Sequence, residues 1–214
     1  MKYLLCSFIL MLTTDICAQK TFRGYPDLRK DGAVIFYLND DSARIAALRS
    51  RNYAKDADAL EQKAITTNKR LVAAFRDTFT FCSVYFIWSK DVDKYRLHKQ
   101  PGLFLDDSLQ YDPSIRVAEK NIMYANIRND YEMGKHGTPH SVVTVDMIAL
   151  QDSNLQYFAW PFPYATQIST EVLLLPTRPE KYVHSFQNTL EYWYYYPSKA
   201  IMRALRKKGL WEPN

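Results

Sequence analysis

The sequence predicts a mixed α/β fold. It has a central mixed sheet of about five or six strands, a β-αα-β opening, an antiparallel hairpin in the C-terminal half and a closing C-terminal helix. Three observations predict it. Residues 33–38 are a continuous apolar run and residues 79–88 are apolar on both faces, as strands covered on both sides are, and a helical stretch separates them. Residues 142–150 form a second strand-like run, followed by a polar Gln151-Asp152-Ser153-Asn154 turn and an apolar return over 155–160. Residues 177–196 carry helix-start chemistry and then a helical apolar stripe.

Each element has a local reason. Asn39-Asp40-Asp41-Ser42 ends the first strand with turn and cap residues, so a helix begins near Ser42. Arg51-Asn52-Tyr53 is its weak point, because Asn tolerates a left-handed turn. From Ala54 to about Asp77, Ala57, Leu60, Ala64, Leu71 and Phe75 recur at three- and four-residue steps, with Ile65 and Val72 between them. A helical hairpin or one kinked helix is expected. The 79–88 strand is expected to pair in parallel with the first through a crossover connection. Residues 103–105 form a short strand, and Asp112-Pro113-Ser114 is a turn. Residues 121–127 are a strand and 129–140 a loop with Gly and Pro. Pro161 and Pro163 disrupt the ladder after the returning strand. In the closing helix Thr177 is read as the cap, Pro179 as a first-turn residue and Glu180 as the other half of a capping box. Val183, Phe186, Leu190 and Trp193 form its apolar face, and Pro197 interrupts it before a basic segment.

Residues 1–18 read as an export signal. Lys2 is followed by an apolar run of about ten residues, too short to span a membrane, and by Ala18 at the cut. Lipidation at Cys17 is a rival, disfavoured by the bulky and charged Asp15-Ile16 before it. The expectation is one globular domain over 19–214, exported to the periplasm or beyond, peripheral to the envelope and without a transmembrane span. Cys82 is then the lone thiol, and its apolar surroundings read as buried and inert.

The 214 residues hold 28 Lys and Arg against 23 Asp and Glu, a net charge of +5 that reads as mostly dispersed. It is compatible with a protein partner or an anionic envelope surface. No nucleic-acid motif is present, and no Gly-rich phosphate loop, nucleophile elbow or paired-cysteine motif. No cofactor is expected.

Three constellations are candidates. The first is acidic: Asp40 and Asp41 follow the first strand, Asp91 and Asp93 the second, Asp106 and Asp107 the third. If all three strands ran parallel, six carboxylates would converge on the sheet edge where α/β ligands bind, to hold a hard cation or do acid–base work. The plainer reading is that each pair caps a helix or turn. The second is the His136-Gly137-Thr138-Pro139-His140 pair, a weak metal candidate because Gly and Pro prevent a helical arrangement. The third joins Trp193 to Arg203, Arg206, Lys207, Lys208 and Trp211, aromatic and basic residues suited to a headgroup boundary.

Residues 45–48, 73–76 and 79–86, with Phe104-Leu105-Asp106-Asp107, Asp112-Pro113-Ser114-Ile115 and Pro161-Phe162-Pro163-Tyr164, resemble an uncharacterised family of exported or envelope proteins of Gram-negative bacteria. The resemblance implies an exported bacterial protein and transfers no activity. The element order also resembles the thioredoxin-like layout, without its redox pair. The leading expectation is a non-enzymatic envelope protein that binds a partner or surface. The alternative is an enzyme or divalent-metal protein using the aspartates, and the third a single-cysteine redox protein. A convergent acidic pocket would favour the second; dispersed, solvent-facing aspartates with an exposed aromatic patch would favour the first.

Overall fold

The computed structural model describes residues 25–133, 142–163, 165–167 and 178–210. Pro26–Ser198 form one compact unit. Its strands are β1 (Gly32–Leu38), β2 (Ser83–Trp88), β3 (Phe104–Leu105), β4 (Asn121–Met133), β5 (Val142–Gln151) and β6 (Ala165–Gln167). Its helices are α1 (Ser42–Ser50), α2 (Ala54–Thr78), α3 (Val92–His98) and α4 (Pro179–Tyr195). Helix α5 (Lys199–Lys207) belongs to a second unit and is described by itself.

The six strands form one sheet in the order β3-β2-β1-β4-β5-β6. β2 and β4 flank β1 in parallel, with Leu38 opposite Trp88 and Phe36 opposite Ala125. β5 and β6 continue the sheet antiparallel. The sheet is therefore mixed, and the β-αα-β opening stands as read from sequence, whereas the antiparallel pair is β4 with β5 rather than the expected hairpin over residues 142–160. Helices α1 and α2 part where expected, with Asn52 at φ 63°. Gly32 opens β1 because a β-carbon there would overlap the backbone of Leu28.

Alternation along β1 sends side chains into two cores. Phe36 packs on Phe75 of α2 and Phe86 of β2, with ring centroids 5.0 and 6.3 Å away. Phe186 of α4 stacks on Phe79 at 5.6 Å. Ile35 faces the other way, joining Ile87, Val92, Tyr95, Leu103, Phe104 and Tyr124. The chain leaving β1 thus covers one face with α2, whereas the chain leaving β2 covers the opposite face with α3. Adjacent strand ends whose continuations part in this way mark the crevice where open α/β sheets take ligands.

Four details differ from the sequence reading. The second strand begins at Ser83 rather than Phe79, because residues 79–82 approach as an irregular segment whose Phe79 fills the helical layer. β4 runs on to Met133, into the stretch read as loop. Residues 155–160 do not return as a strand. Asp152 ties the turn by accepting from Asn154 and Gln156, Leu155 takes φ 60°, and only Tyr157 bridges back to Gln151. The third strand of that meander is β6, beyond the prolines. Helix α4 starts at Pro179 with Arg178 at the cap position, which puts Glu180 one place too early for a capping box. Thr177 itself lies outside the described residues.

Candidate functional site

β3 runs antiparallel to β2, with Leu105 opposite Phe86 and Phe104 opposite Ile87. Its continuation therefore leads to the N-terminal end of β2, away from the crevice. Arg76 shows where it goes: its Nε donates to Asp107 at 2.8 Å and its guanidinium also reaches the carbonyl of Val84. Asp106 accepts from the backbone N–H groups of Ser108 and Gln110, as a turn aspartate does. The six carboxylates do not converge. The parallel arrangement that would have gathered them fails because the link to β3, through α3 and a short loop, turns the chain back beside β2.

At the crevice itself, Asp40 and Asp91 are brought near the same strand ends. Asp40 accepts from the backbone N–H of Ser42 at 3.1 Å and pairs with Lys90 at 3.2 Å. Burial resists its ionisation, but these hydrogen bonds and the lysine charge outweigh that and hold the carboxyl below its ordinary value. Asp91 is 2% exposed. Lys94 donates to its Oδ1 and the Tyr111 hydroxyl to its Oδ2, both at 2.6 Å. Here too burial opposes ionisation and the two donors prevail, so the carboxyl sits below the usual range. Tyr111 is pushed up to about 12, by burial first and then by giving its proton to Asp91 as a hydrogen-bond donor. Asp93 turns outward to Arg96 at 3.0 Å. Asp41 takes φ 51° before α1 and accepts from Asn39. Each aspartate is engaged, but the plainer expectation holds only in part: Asp40 and Asp106 accept from backbone N–H groups of a turn, whereas Asp91 and Asp107 hold the distant Tyr111 and Arg76, and neither Asp41 nor Asp91 caps its helix through the side chain.

A second group lies beside the first on β1, β4 and β5. The Tyr37 hydroxyl donates to Gln151 Oε1 at 2.7 Å, and Gln151 Nε2 donates to the carbonyl of Leu155 at 2.9 Å. Burial, and then the neighbouring Tyr157, push Tyr37 up to about 12. The Arg128 guanidinium lies 4.5 Å from the centroid of the Tyr157 ring. Gln151 is buried, whereas Tyr157 is 42% and Tyr111 48% exposed. Asn126 Oδ1, on the same face of β4, is buried without a hydrogen-bond partner. From β2 to β5 this row spans three strand spacings, about 14 Å. Asn68 of α2 supports it from behind by donating to the carbonyl of Asn39 at 2.8 Å.

None of Tyr37, Lys90, Lys94, Tyr111, Arg128, Gln151 or Tyr157 was singled out from sequence. The available signal was Tyr37, a lone polar group in the apolar β1 run. Its partners lie 114 residues and more away and carry no local pattern.

The C-terminal candidate divides. Trp193 is 1% exposed and donates its indole N–H to the carbonyl of Pro161, so it is a core residue of α4 and not a surface anchor. The exposed rings of that helix end are instead Tyr192, Tyr195 and Tyr196. Arg203, Arg206, Lys207 and Lys208 are exposed on and just beyond α5. Trp211, His136 and His140 lie outside the described residues. Among the described residues no group of three or more His, Cys, Asp or Glu is placed to share a metal ion. No helix among them is long and apolar enough to cross a membrane. Cys82 is partly buried just before β2, and burial pushes its thiol up to about 12.

No protein-family model, no curated protein and no solved structure matches this chain.

Proposed function

We propose that this chain is a non-catalytic exported protein that binds a partner protein along the C-terminal ends of β2 and β1 and the adjoining middle of β4. The observation that supports the reading is the edge itself: Tyr111 and Tyr157 present half-exposed rings whose surroundings are fixed by internal hydrogen bonds and ion pairs. Tyrosine offers large contact area at small conformational cost, and Tyr and Arg are enriched where partners bind. The charges nearby are already matched, Lys90 to Asp40 and Lys94 to Asp91, so little unpaired charge must be desolvated when a partner covers them. The same pairing counts against acid–base work, which needs a carboxylate free to take a proton near neutral pH. Export rests on the reading of residues 1–18.

Site-specific photo-crosslinking tests this. Benzoylphenylalanine replaces Tyr111, Tyr157 or Tyr53 in cells making the chain. Tyr53 is 56% exposed and sits about 14 Å along α1 from the strand edge. One discrete adduct shared by positions 111 and 157 and absent at 53 is the expected result. Equal adducts at all three positions, or adducts at none, overturn the reading.

A further inference from the structure

The net charge of this chain is not spread evenly along its sequence. Lys199, Arg203, Arg206, Lys207 and Lys208 fall within ten residues that hold no acidic side chain. They equal the whole excess of +5, and the other 204 residues hold 23 charges of each sign. Reading the charge as dispersed therefore misplaced it. Helix geometry then orders these cations. At 100° per residue, positions 199, 203, 206 and 207 share a stripe about 100° wide. Ala204 and Leu205, the buried residues of α5, lie on the other side. All five cations are exposed. Five cations with no acid among them concentrate attraction to an anionic surface on this one short helix.

We propose that α5 docks the protein on an anionic lipid bilayer, its basic stripe against the headgroups. A bilayer is favoured over a soluble polyanion by the neighbouring sequence. Tyr195 and Tyr196, 53% and 72% exposed, precede the stripe, and aromatic residues beside basic ones are the composition of the membrane interface. Because Leu205 is buried, the attachment is electrostatic and reversible rather than insertion of an apolar face. It does not depend on the partner edge proposed above.

The test is co-sedimentation of the whole chain with vesicles of phosphatidylcholine containing about one-third phosphatidylglycerol, read against pure phosphatidylcholine. The difference cancels any contribution from the apolar run of residues 3–12. Two triple variants have the same net charge: Lys199→Gln, Arg203→Gln, Lys207→Gln on α5, and Lys55→Gln, Lys63→Gln, Lys69→Gln on the exposed side of α2. Each cation near an anionic surface contributes about a fivefold factor, so the α5 triple should bind roughly 100-fold more weakly while the α2 triple stays within a fewfold of the parent. The parent's preference for the anionic vesicles should also vanish near 1 M salt, where the screening length falls to about 3 Å. This second reading stands even if the α5 triple does not fold. Equal loss in both triples, no preference for anionic vesicles, or a preference that survives 1 M salt overturns the proposal. So does dextran sulfate binding at full strength to a parent that ignores vesicles, because the recognised polyanion is then soluble.

Discussion

Replacing Tyr111 by Phe removes one hydroxyl and keeps the ring, which isolates its bond to Asp91. That carboxylate is 2% exposed and receives one hydrogen bond on each oxygen, from Lys94 and from Tyr111. A hydrogen bond to a charged group contributes about 1.5–3 kcal/mol. Tyr111 is 48% exposed, so water can approach the vacated oxygen and the loss belongs near the lower end, about 1.5 kcal/mol. For a chain of this length that lowers Tm by about 3–6 °C. The pH dependence follows from the two displaced groups. Asp91 is depressed in the fold, so its contribution is present above its unfolded value near 3.9 and is lost as pH falls through the folded value. Tyr111 is raised, so its contribution is present below about 10 and is lost as pH rises toward about 12. Urea unfolding of parent and variant should therefore differ most between about pH 5 and 9 and converge at both extremes. A difference under about 0.5 kcal/mol at pH 7, or one that does not shrink as acid protonates Asp91, would refute the account of Asp91 as a fixed structural anion.

Two further outcomes are expected. Phe75→Ala should cost about 3–5 kcal/mol in chemical denaturation, because that ring meets Phe36, Phe79, Phe86 and Phe186 and the cavity cannot collapse; a cost under about 1.5 kcal/mol would move the centre of the helical core elsewhere. Cys82 should react with iodoacetamide at pH 8 about a thousandfold more slowly in the native chain than in urea, since a thiol at about 12 holds little thiolate there; equal rates would revive the redox reading.

The parts of the fold that were legible in sequence are those dictated by local periodicity. The α2 stripe, the elbow at Asn52 and the apolar runs of β1 and β5 each follow from side chains within a turn or two of one another. The parts that were not legible depend on where the chain goes next. Phe104-Leu105 reads as a strand in isolation, but nothing in two residues gives its direction, and that direction decides whether Asp106 and Asp107 join Asp40. Residues 155–160 carry strand-like composition, yet the Asp152 side chain captures two backbone donors and bends the segment off the ladder. Trp193 matched both a surface anchor and a core residue by type. The i−3 position of Leu190, itself fully buried, shows that the core side wins. The Tyr37–Gln151 and Tyr111–Asp91 bonds join segments 114 and 20 residues apart, with no motif to announce either.

Four titratable groups at the strand edge are displaced in the same functional sense. The acids Asp40 and Asp91 are held below their ordinary range, and the phenols Tyr37 and Tyr111 are held near 12. Catalytic sites show the opposite habit, drawing one group's pKa toward the working pH so that it can exchange a proton. Here none of these four groups changes charge between pH 5 and 9. A surface built this way keeps one pattern of donors, acceptors and paired charges across that range. Binding along it should therefore be level with pH, and the crosslink from position 157 should form in equal yield at pH 5.5 and 8.5. A yield that differed between the two would mean that a group buried by the contact changes charge in that range, and that this edge does not hold one pattern of charges across it.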